Sequence, residues 1–153
     1  MRLAIAGNAR LGGLRERAKL SPLLRSVASP IAPRGARVAV TWIGERTMAR
    51  LNREYKNRRG AAEILTFPRG DGPDPEGDVP LGEICLCWTR LRRGARLRGV
   101  SPRSYGARLV VHGCLHLRGY RHDDARSAGR MEALEARFLK RHLSGEEVRR
   151  LFA

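Results

Sequence analysis

Four short segments rich in apolar residues predict β-strands, and the first of them, residues 2–8, shows a weak alternation of apolar and polar positions. The clearest alternation is Arg-Val-Ala-Val-Thr-Trp-Ile, where β-branched and aromatic residues favour a half-buried strand. Pro68 ends another apolar run and therefore limits the strand before it. The four predicted strands cover residues 2–8, 37–43, 63–68 and 81–88.

Apolar residues recur at intervals of three and four in other segments, which predicts helices. Ser101 is a predicted N-cap followed by Pro102 at the first helical position, and Ser144-Gly145-Glu146-Glu147 forms a capping box before a short terminal turn. The predicted helices cover residues 11–26, 45–56, 90–98, 102–117 and 125–142. The last of these is predicted to bury Met131, Leu134, Phe138 and Leu139.

Proline and glycine mark the predicted loops, which cover residues 29–35 and 69–80. The second loop is long and polar, and such loops often border a functional site. Strands that alternate with helices, followed by two final helices, predict an α+β fold with a small mixed sheet of about four strands. At 153 residues, we expect a single domain over residues 1–153.

The charge balance predicts a polyanionic partner. The chain carries 31 Lys and Arg against 15 Asp and Glu, a formal net charge of +16. Such a field attracts nucleic acid before any specific contact forms. Only three of the basic residues are lysine, and an arginine bias also arises from the nucleotide composition of a gene. Charge alone therefore favours RNA or DNA binding without deciding it.

Hydropathy and cysteine content predict a cytoplasmic protein with no membrane span. The longest uncharged run near the middle, residues 109–117, is far shorter than the ~20 residues that cross a bilayer. Three cysteines, an odd number in a chain of this size, favour a reducing cytosol over a disulfide framework. Cys85 and Cys87 point to one face of a strand and are interpreted as core residues, and Cys114 as a packed residue.

Three of the four histidines lie within eleven residues, at a spacing typical of metal ligands. His112 and His116 are one helical turn apart and project from one face of the predicted helix. Gly119 allows the left-handed conformation that ends a helix, so that the chain turns back and His122 reaches the same point. Three imidazoles with an open fourth position predict a catalytic zinc site, in which the metal lowers the pKa of a bound water to roughly 7. The fourth histidine, His142, complements a helix C-terminus and is given no chemical role.

The same spacing occurs in zinc proteases with the pattern H-E-x-x-H-x-x-G-x-x-H. Those enzymes need a glutamate after the first histidine as the general base, and this chain has Gly113 there. Losing a general base typically costs 10² to 10⁴ in rate. Proteolysis is therefore the third interpretation of the site.

These residues resemble the YbeY family, the bacterial single-strand-specific metallo-endoribonucleases of ribosomal RNA maturation. The similarity rests on the pattern from His112 to His122 and on Met131-Glu132-x-x-Glu135. Two upstream stretches agree: residues 51–56 with 64–68 resemble the family segments L-N-x-x-Y-R and V-L-S-F-P, and residues 81–84 resemble L-G-D-I. The resemblance covers residues 40–140 and is highly specific in the histidine segment.

The resemblance implies a small mixed sheet flanked by helices, with the zinc-bearing helix on one side. It also implies one zinc ion on His112, His116 and His122, and single-stranded ribosomal RNA and the ribosome as partners. The implied activity is a zinc-dependent endoribonuclease acting in 3′ end maturation of 16S ribosomal RNA and in ribosome quality control.

The chain departs from the family pattern at several positions. Arg121 replaces an acidic residue before the third histidine, with Asp123 and Asp124 after it, so a carboxylate that orients a ligand is missing or displaced. Lys56 replaces an arginine, which exchanges a planar fork for a point charge. Residues 61–63, Ala-Ala-Glu, replace a P-T-[DN] stretch.

We expect the metal-activated water to attack a phosphodiester, while Lys56, together with Arg58 or Arg59, neutralises the developing charge. Arg58 and Arg59 are also interpretable as a solvated basic loop. Glu132 and Glu135 are either acceptors for a ligand histidine or surface partners of arginine, and we favour the surface. Tyr120 either stacks on a base or packs internally. These residues form the predicted surroundings of the metal.

The second interpretation of the chain is a zinc-stabilised ribosome-binding or assembly factor that does not cleave RNA. In that case zinc would be structural and a protein side chain would occupy its fourth position. Cys114 and Asp123 are the nearest candidates in the sequence.

Overall fold

The computed structural model describes residues 1–69 and 79–153, and a four-stranded mixed sheet lies at its centre. The strand order is β1-β2-β4-β3; β1 and β4 run parallel to β2, and β3 runs antiparallel to β4. The strands are β1 (Arg2–Gly7), β2 (Ala36–Ile43), β3 (Ile64–Pro68) and β4 (Val79–Cys87).

Helices cover both faces of this sheet. A 3₁₀ turn precedes the first helix at Ala9–Leu11 and another follows it at Ser29–Ile31. The helices in the described residues are α1 (Leu14–Ala28), α2 (Glu45–Lys56), α3 (Trp88–Arg98), α4 (Pro102–Leu117), α5 (Ala125–Leu139) and α6 (Gly145–Leu151).

The predicted elements and the α+β class are confirmed, and the differences concern their ends. The first helix begins at Leu14 instead of residue 11 because Gly12 and Gly13 have φ values of 75° and 62°, which interrupt the helix. The fourth strand begins at Val79, within the predicted loop, and Trp88 already belongs to α3. Residues 70–78 of that loop lie outside the described residues. The fifth helix ends at Leu139 instead of residue 142.

Two apolar cores lie on opposite faces of the sheet. The larger core joins β1, β2 and β4 to every helix except α2. The smaller lies under α2 and contains Met48, Leu65, Cys85 and Cys87, which confirms the two strand cysteines as core residues. The helix α2 is thus held against β3 and β4 by a few buried side chains.

The central helix is α4, which packs against α1, α3, α5, α6 and two strands. Eleven of its 16 residues are buried. Cys114 is fully buried, as predicted, and burial raises the pKa of its thiol to about 12. A helix enclosed in this way holds its side chains in fixed positions, so histidines on α4 have a rigid base.

Burial along α5 follows the prediction in part. Met131 and Leu139 are buried, whereas Leu134 and Phe138 are only partly buried against the larger core.

In the described part of the chain, no helix combines the length and apolarity needed to cross a membrane.

Candidate metal centre and the basic residues around it

The three predicted histidines converge on one point. Their candidate ligand nitrogens all lie within 4.8 Å of one another. The ring centroids of His112 and His116 are 4.4 Å apart, and that of His122 is 5.3 Å from the first and 4.7 Å from the second. His112 and His116 are partly buried and His122 is exposed, so the cluster opens to solvent on the side of His122.

A tight turn at the end of α4 brings His122 to the other two histidines. Gly119 has a φ of 97°, a backbone conformation that residues other than glycine rarely adopt. Its amide donates to the His116 carbonyl at 2.9 Å. The Tyr120 amide donates to the Leu115 carbonyl at 3.1 Å, which reverses the chain. Asp124 then caps α5, so His122 is held between the end of one helix and the start of the next.

Hydrogen bonds on the outer ring nitrogens orient two of the histidines. The Nδ1 of His116 lies 3.0 Å from the Tyr120 carbonyl oxygen, which can only accept, so this nitrogen carries the proton. The Nδ1 of His112 is hydrogen-bonded to the Glu135 carboxylate. Both Nε2 atoms therefore present lone pairs, and they face each other at 2.9 Å.

This geometry fits a cation. Two lone pairs at 2.9 Å repel unless a proton or a metal ion lies between them. Burial, followed by the neighbouring His112 and His122, lowers the pKa of His116 to about 4. His116 is thus in the neutral form that metal coordination requires, and three imidazoles suit a borderline-soft divalent ion.

No protein group occupies a fourth position in the part of the chain that the structure describes. Cys114 is buried on the opposite side of α4, and Asp123 is exposed and lies outside the histidine cluster. Asp124 accepts a hydrogen bond from the Ser127 amide at 2.7 Å, and this bond lowers the pKa of its carboxyl. The two candidates for a structural fourth ligand are therefore absent from the cluster.

Glu135 corrects one interpretation of the sequence. Glu132 is exposed, as expected, but Glu135 is only 1% exposed, away from the surface, and its carboxylate contacts His112. Its position carries a signal, because Glu135 lies four residues from Met131 and four from Leu139, on the buried stripe of α5. An acidic residue on an apolar stripe is a candidate partner for a buried cation or ligand.

Sequence reasoning missed Arg108, which lies one helical turn before His112. Its Nε is 3.7 Å from Glu135 Oε2, and its guanidinium donates to the Leu151 carbonyl. The guanidinium also lies 4.0 Å from the centre of the Phe152 ring. Arg108 thus links the carboxylate that orients His112 to the C-terminal helix.

Lys56 and Arg58 lie beside the histidines, and Arg59 does not. The metal pocket, about 330 Å³, is lined by Lys56, Arg58, Ile64, Leu65, Thr66, His112, His116 and His122. Lys56 Nζ donates to the Thr66 carbonyl at 3.3 Å, which holds the ammonium against β3. Arg59 faces a separate groove on α2. The sequence left open whether Arg58 or Arg59 assists Lys56, and of the two only Arg58 lines the metal pocket.

The conformation of the loop after α2 directs Arg58 and Arg59 to different pockets. Asn57 adopts the left-handed conformation that ends the helix. The buried Asn52 side chain donates to the Gly60 carbonyl at 2.9 Å, and the Arg58 amide donates to the Asn52 carbonyl at 3.2 Å. The loop is therefore tied to α2 at both ends, with Arg58 on one side and Arg59 on the other.

Two other positions singled out in the sequence have different surroundings. Glu63 accepts a hydrogen bond from the Tyr105 hydroxyl; burial and then this carboxylate raise the pKa of Tyr105 above its usual range. Glu63 thus joins the start of β3 to α4.

Tyr120 is 42% exposed and lines a groove with Arg121 and Met131, so its side chain is accessible.

Gly113 faces the sheet, which explains why a protease-type glutamate has no room there. A Cβ at this position would lie 2.9 Å from Ile84 Cδ1, 3.0 Å from Ile64 Cδ1 and 3.2 Å from Thr66 Cγ2. No carboxylate is among the described residues that line the metal pocket. The geometry therefore disfavours proteolysis.

Gly113→Ala is expected to lower the free energy of unfolding by about 1–3 kcal/mol, because the methyl group overpacks the contact between α4 and the sheet. The measurement is urea denaturation of the metal-free protein. The matched control is Gly129→Ala in α5, where a Cβ meets nothing within 4 Å and where helix propensity predicts a gain of up to ~1 kcal/mol. Equal effects at both positions would contradict the close packing at Gly113.

Comparisons with known proteins agree with the geometry. The family model described as Endoribonuclease YbeY matches residues 17–142. A Bordetella pertussis protein named Endoribonuclease YbeY is 42% identical over 107 residues, 70% of this chain and 66% of its own length. A protein of the same name from Pseudomonas savastanoi pv. phaseolicola is 36% identical over 104 residues, 67% of this chain and 62% of its own length. The aligned segment thus spans just under two thirds of these relatives.

A solved structure supports the fold. The solution structure of TM1509 from Thermotoga maritima matches with a TM-score of 0.60 and 22% sequence identity. The match covers 95% of this chain and 88% of that protein. At this identity the similarity concerns the fold.

Proposed function

The chain belongs to the endoribonuclease YbeY family, and from this premise we propose that it is a metal-dependent endoribonuclease that cleaves single-stranded RNA. The observation that carries the proposal is the pair of Nε2 lone pairs facing each other at 2.9 Å beside His122, with Lys56 and Arg58 in the same pocket. The histidines can hold a metal, and the basic side chains can bind a phosphodiester.

Zinc is the proposed ion, because neutral imidazole ligands and an open position are typical of catalytic zinc sites. When bound, zinc supplies a Lewis acid that polarises a phosphoryl oxygen and makes water more acidic. The described part of the chain offers no fourth ligand, which favours this role over a structural one.

The protein's own residues position the substrate. Lys56 is anchored on the Thr66 carbonyl and can bind a non-bridging phosphate oxygen near the histidines. Arg58, exposed on the same pocket, can contact the same or the neighbouring phosphate. Because the Lys56 ammonium is held before the substrate arrives, it stabilises the negative charge that develops during cleavage, and Arg58 adds a second positive charge at the same pocket.

Family membership supports the substrate and the cellular role. We propose ribosomal RNA as the substrate, at the 3′ end of 16S ribosomal RNA, with a role in ribosome quality control in the cytoplasm. The excess of basic side chains fits this polyanion. The alternative function is a ribosome-binding factor that does not cleave, and Lys56 and Arg121 are the departures that favour it.

The test of function is cleavage of a labelled single-stranded RNA by the purified protein, with a duplex of the same sequence and casein as controls. We expect about one zinc per chain and cleavage of the single strand alone. A chelator should abolish this cleavage and added zinc should restore it. One zinc per chain without cleavage would support the binding factor, and cleavage of casein would support the protease.

Lys56→Gln is expected to lower the rate of single-turnover cleavage by roughly 10²-fold, the usual effect of removing one preorganised charge or donor. Zinc content should be unchanged, because Lys56 is not a ligand. Single-turnover kinetics at saturating protein separate this loss from weaker binding. The control is Lys19→Gln on α1, which removes the same charge far along the chain from the histidines. A Lys56 variant as active as that control would contradict the proposed role.

A further inference from the structure

A second basic surface lies next to the metal pocket, and we propose that it binds the RNA strand beyond the cleaved phosphodiester. This arginine groove, about 610 Å³, is lined by Arg46, Ala49, Arg50, Arg53, Arg59 and Gly60. The inference rests on the proposed function, because it names how the same substrate extends from the same site.

The spacing of the arginines on α2 places them in one row. Arg46, Arg50 and Arg53 follow at intervals of four and three, so their side chains share one helix face. From the first to the last, the row covers about 10 Å along the helix axis. That length suits a few nucleotides of a single strand.

These side chains are exposed and carry uncompensated charge. Within residues 1–69 and 79–153, no ion pair or side-chain hydrogen bond involves Arg46, Arg50 or Arg53. Like charges at this spacing repel and destabilise a helix. In contrast, Glu45 on another face of α2 pairs with Arg90 at 3.5 Å. The groove is thus arranged to receive an anion from outside.

The loop of residues 57–60 joins the groove to the metal pocket. Arg58 lines the metal pocket and its neighbour Arg59 lines the groove. Lys56, the last residue of α2, lies on the metal pocket. A strand held by Lys56 and Arg58 at the histidines therefore continues over this loop onto Arg59, Arg53 and Arg50.

This continuity favours RNA over a protein partner. A chain of evenly spaced phosphates can contact both pockets at once, whereas an acidic protein surface would have to fit the groove without entering the metal pocket. Guanidinium groups bind phosphates through two parallel hydrogen bonds, which suits recognition of the backbone without regard to sequence.

The test compares two triple variants with the same change in charge. Arg46→Gln/Arg50→Gln/Arg53→Gln removes the row on α2. The control, Arg92→Gln/Arg96→Gln/Arg103→Gln, changes another exposed basic pocket, at the start of α4 and about 15 Å along that helix from His112. Binding of a labelled 20-nucleotide single strand built from 2′-deoxyribonucleotides, which keeps the phosphates and is not the substrate of an endoribonuclease, is measured on the zinc-loaded proteins by fluorescence anisotropy over a salt series. A gel confirms that the strand is intact.

The α2 variant is expected to weaken binding at least tenfold. It should also reduce the slope of log K against log salt by about 2, since each phosphate neutralised on a single strand contributes about 0.7. The control should change both quantities much less. Cleavage of a dinucleotide, which is too short to extend from the metal pocket into the groove, should be the same in the α2 variant and the unaltered protein.

Other results would overturn the inference. Equal weakening by the two triple variants would show that overall charge, and not the groove, binds the strand. Unchanged binding of the strand by the α2 variant would leave the groove for an acidic protein. The proposed function fails separately: if the unaltered protein leaves a ribonucleotide strand of the same sequence intact, the nuclease is refuted, while the comparison of the two variants still decides the groove.

Discussion

His116→Ala is expected to lose bound zinc and RNA cleavage together. His116 contributes one of the two facing Nε2 atoms, and its ring is oriented by the Tyr120 carbonyl. Removing it leaves two histidines, too few for a stable three-nitrogen site. Because a bound Lewis acid contributes several kcal/mol to the transition state, cleavage should fall by roughly 10³-fold or more.

Zinc content by atomic spectroscopy and single-turnover cleavage measure these two losses. The matched control is His142→Ala, which removes an exposed histidine just beyond α5 and should leave both quantities unchanged. A His116 variant that cleaves at full rate without metal would refute the metal centre.

Glu135→Ala is expected to weaken zinc binding by 10 to 100-fold, the usual cost of removing a group that orients a metal ligand. The carboxylate holds the Nδ1 proton of His112 and pairs with Arg108. Without it, the His112 ring loses its orientation and Arg108 loses its carboxylate partner. The free energy of unfolding should also fall by about 2 kcal/mol, which is typical of losing a hydrogen bond to a charged group. The loss is not larger because Arg108 is partly exposed, so water can solvate its charge.

Two further variants separate positioning from folding. Glu135→Gln keeps an amide oxygen that can accept a hydrogen bond from the Nδ1–H of His112, so it should recover much of the zinc affinity while remaining less stable than the unaltered protein. Glu132→Ala, on the exposed side of α5, should change neither property. The measurements are chelator competition for zinc affinity and urea denaturation for stability. Equal zinc affinity in the Glu135→Ala and Glu132→Ala proteins would show that Glu135 has no role at the metal.

The difference between Glu132 and Glu135 shows where sequence reasoning lost information. Both residues lie on a helix that was predicted with nearly correct ends. Their separation of three residues leaves open which one faces the core. Only the apolar neighbours Met131 and Leu139, four residues to either side, identify Glu135 as the buried one. The sequence contained that signal, and the interpretation of both residues as surface partners of arginine did not use it.

Local spacing was sufficient to predict the order of strands and helices along the chain, the pair of histidines on α4 and the turn at Gly119. Each depends on residues a few positions apart, whose geometry is set by helix periodicity or by the conformational freedom of glycine. Family resemblance led to the proposal that RNA is the substrate, which no spacing implies. These local features do not depend on which distant segments of the chain contact each other.

The remaining features depend on contacts between distant parts of the chain. Glu135 reaches His112 across 23 positions and Arg108 reaches Leu151 across 43, so neither contact follows from a local pattern. The direction of Gly113 toward β3 and β4, and the division of Arg58 and Arg59 between two pockets, follow from how α4 and α2 pack on the sheet. A helix pattern specifies which residues share a face, and only the packed fold decides what that face meets.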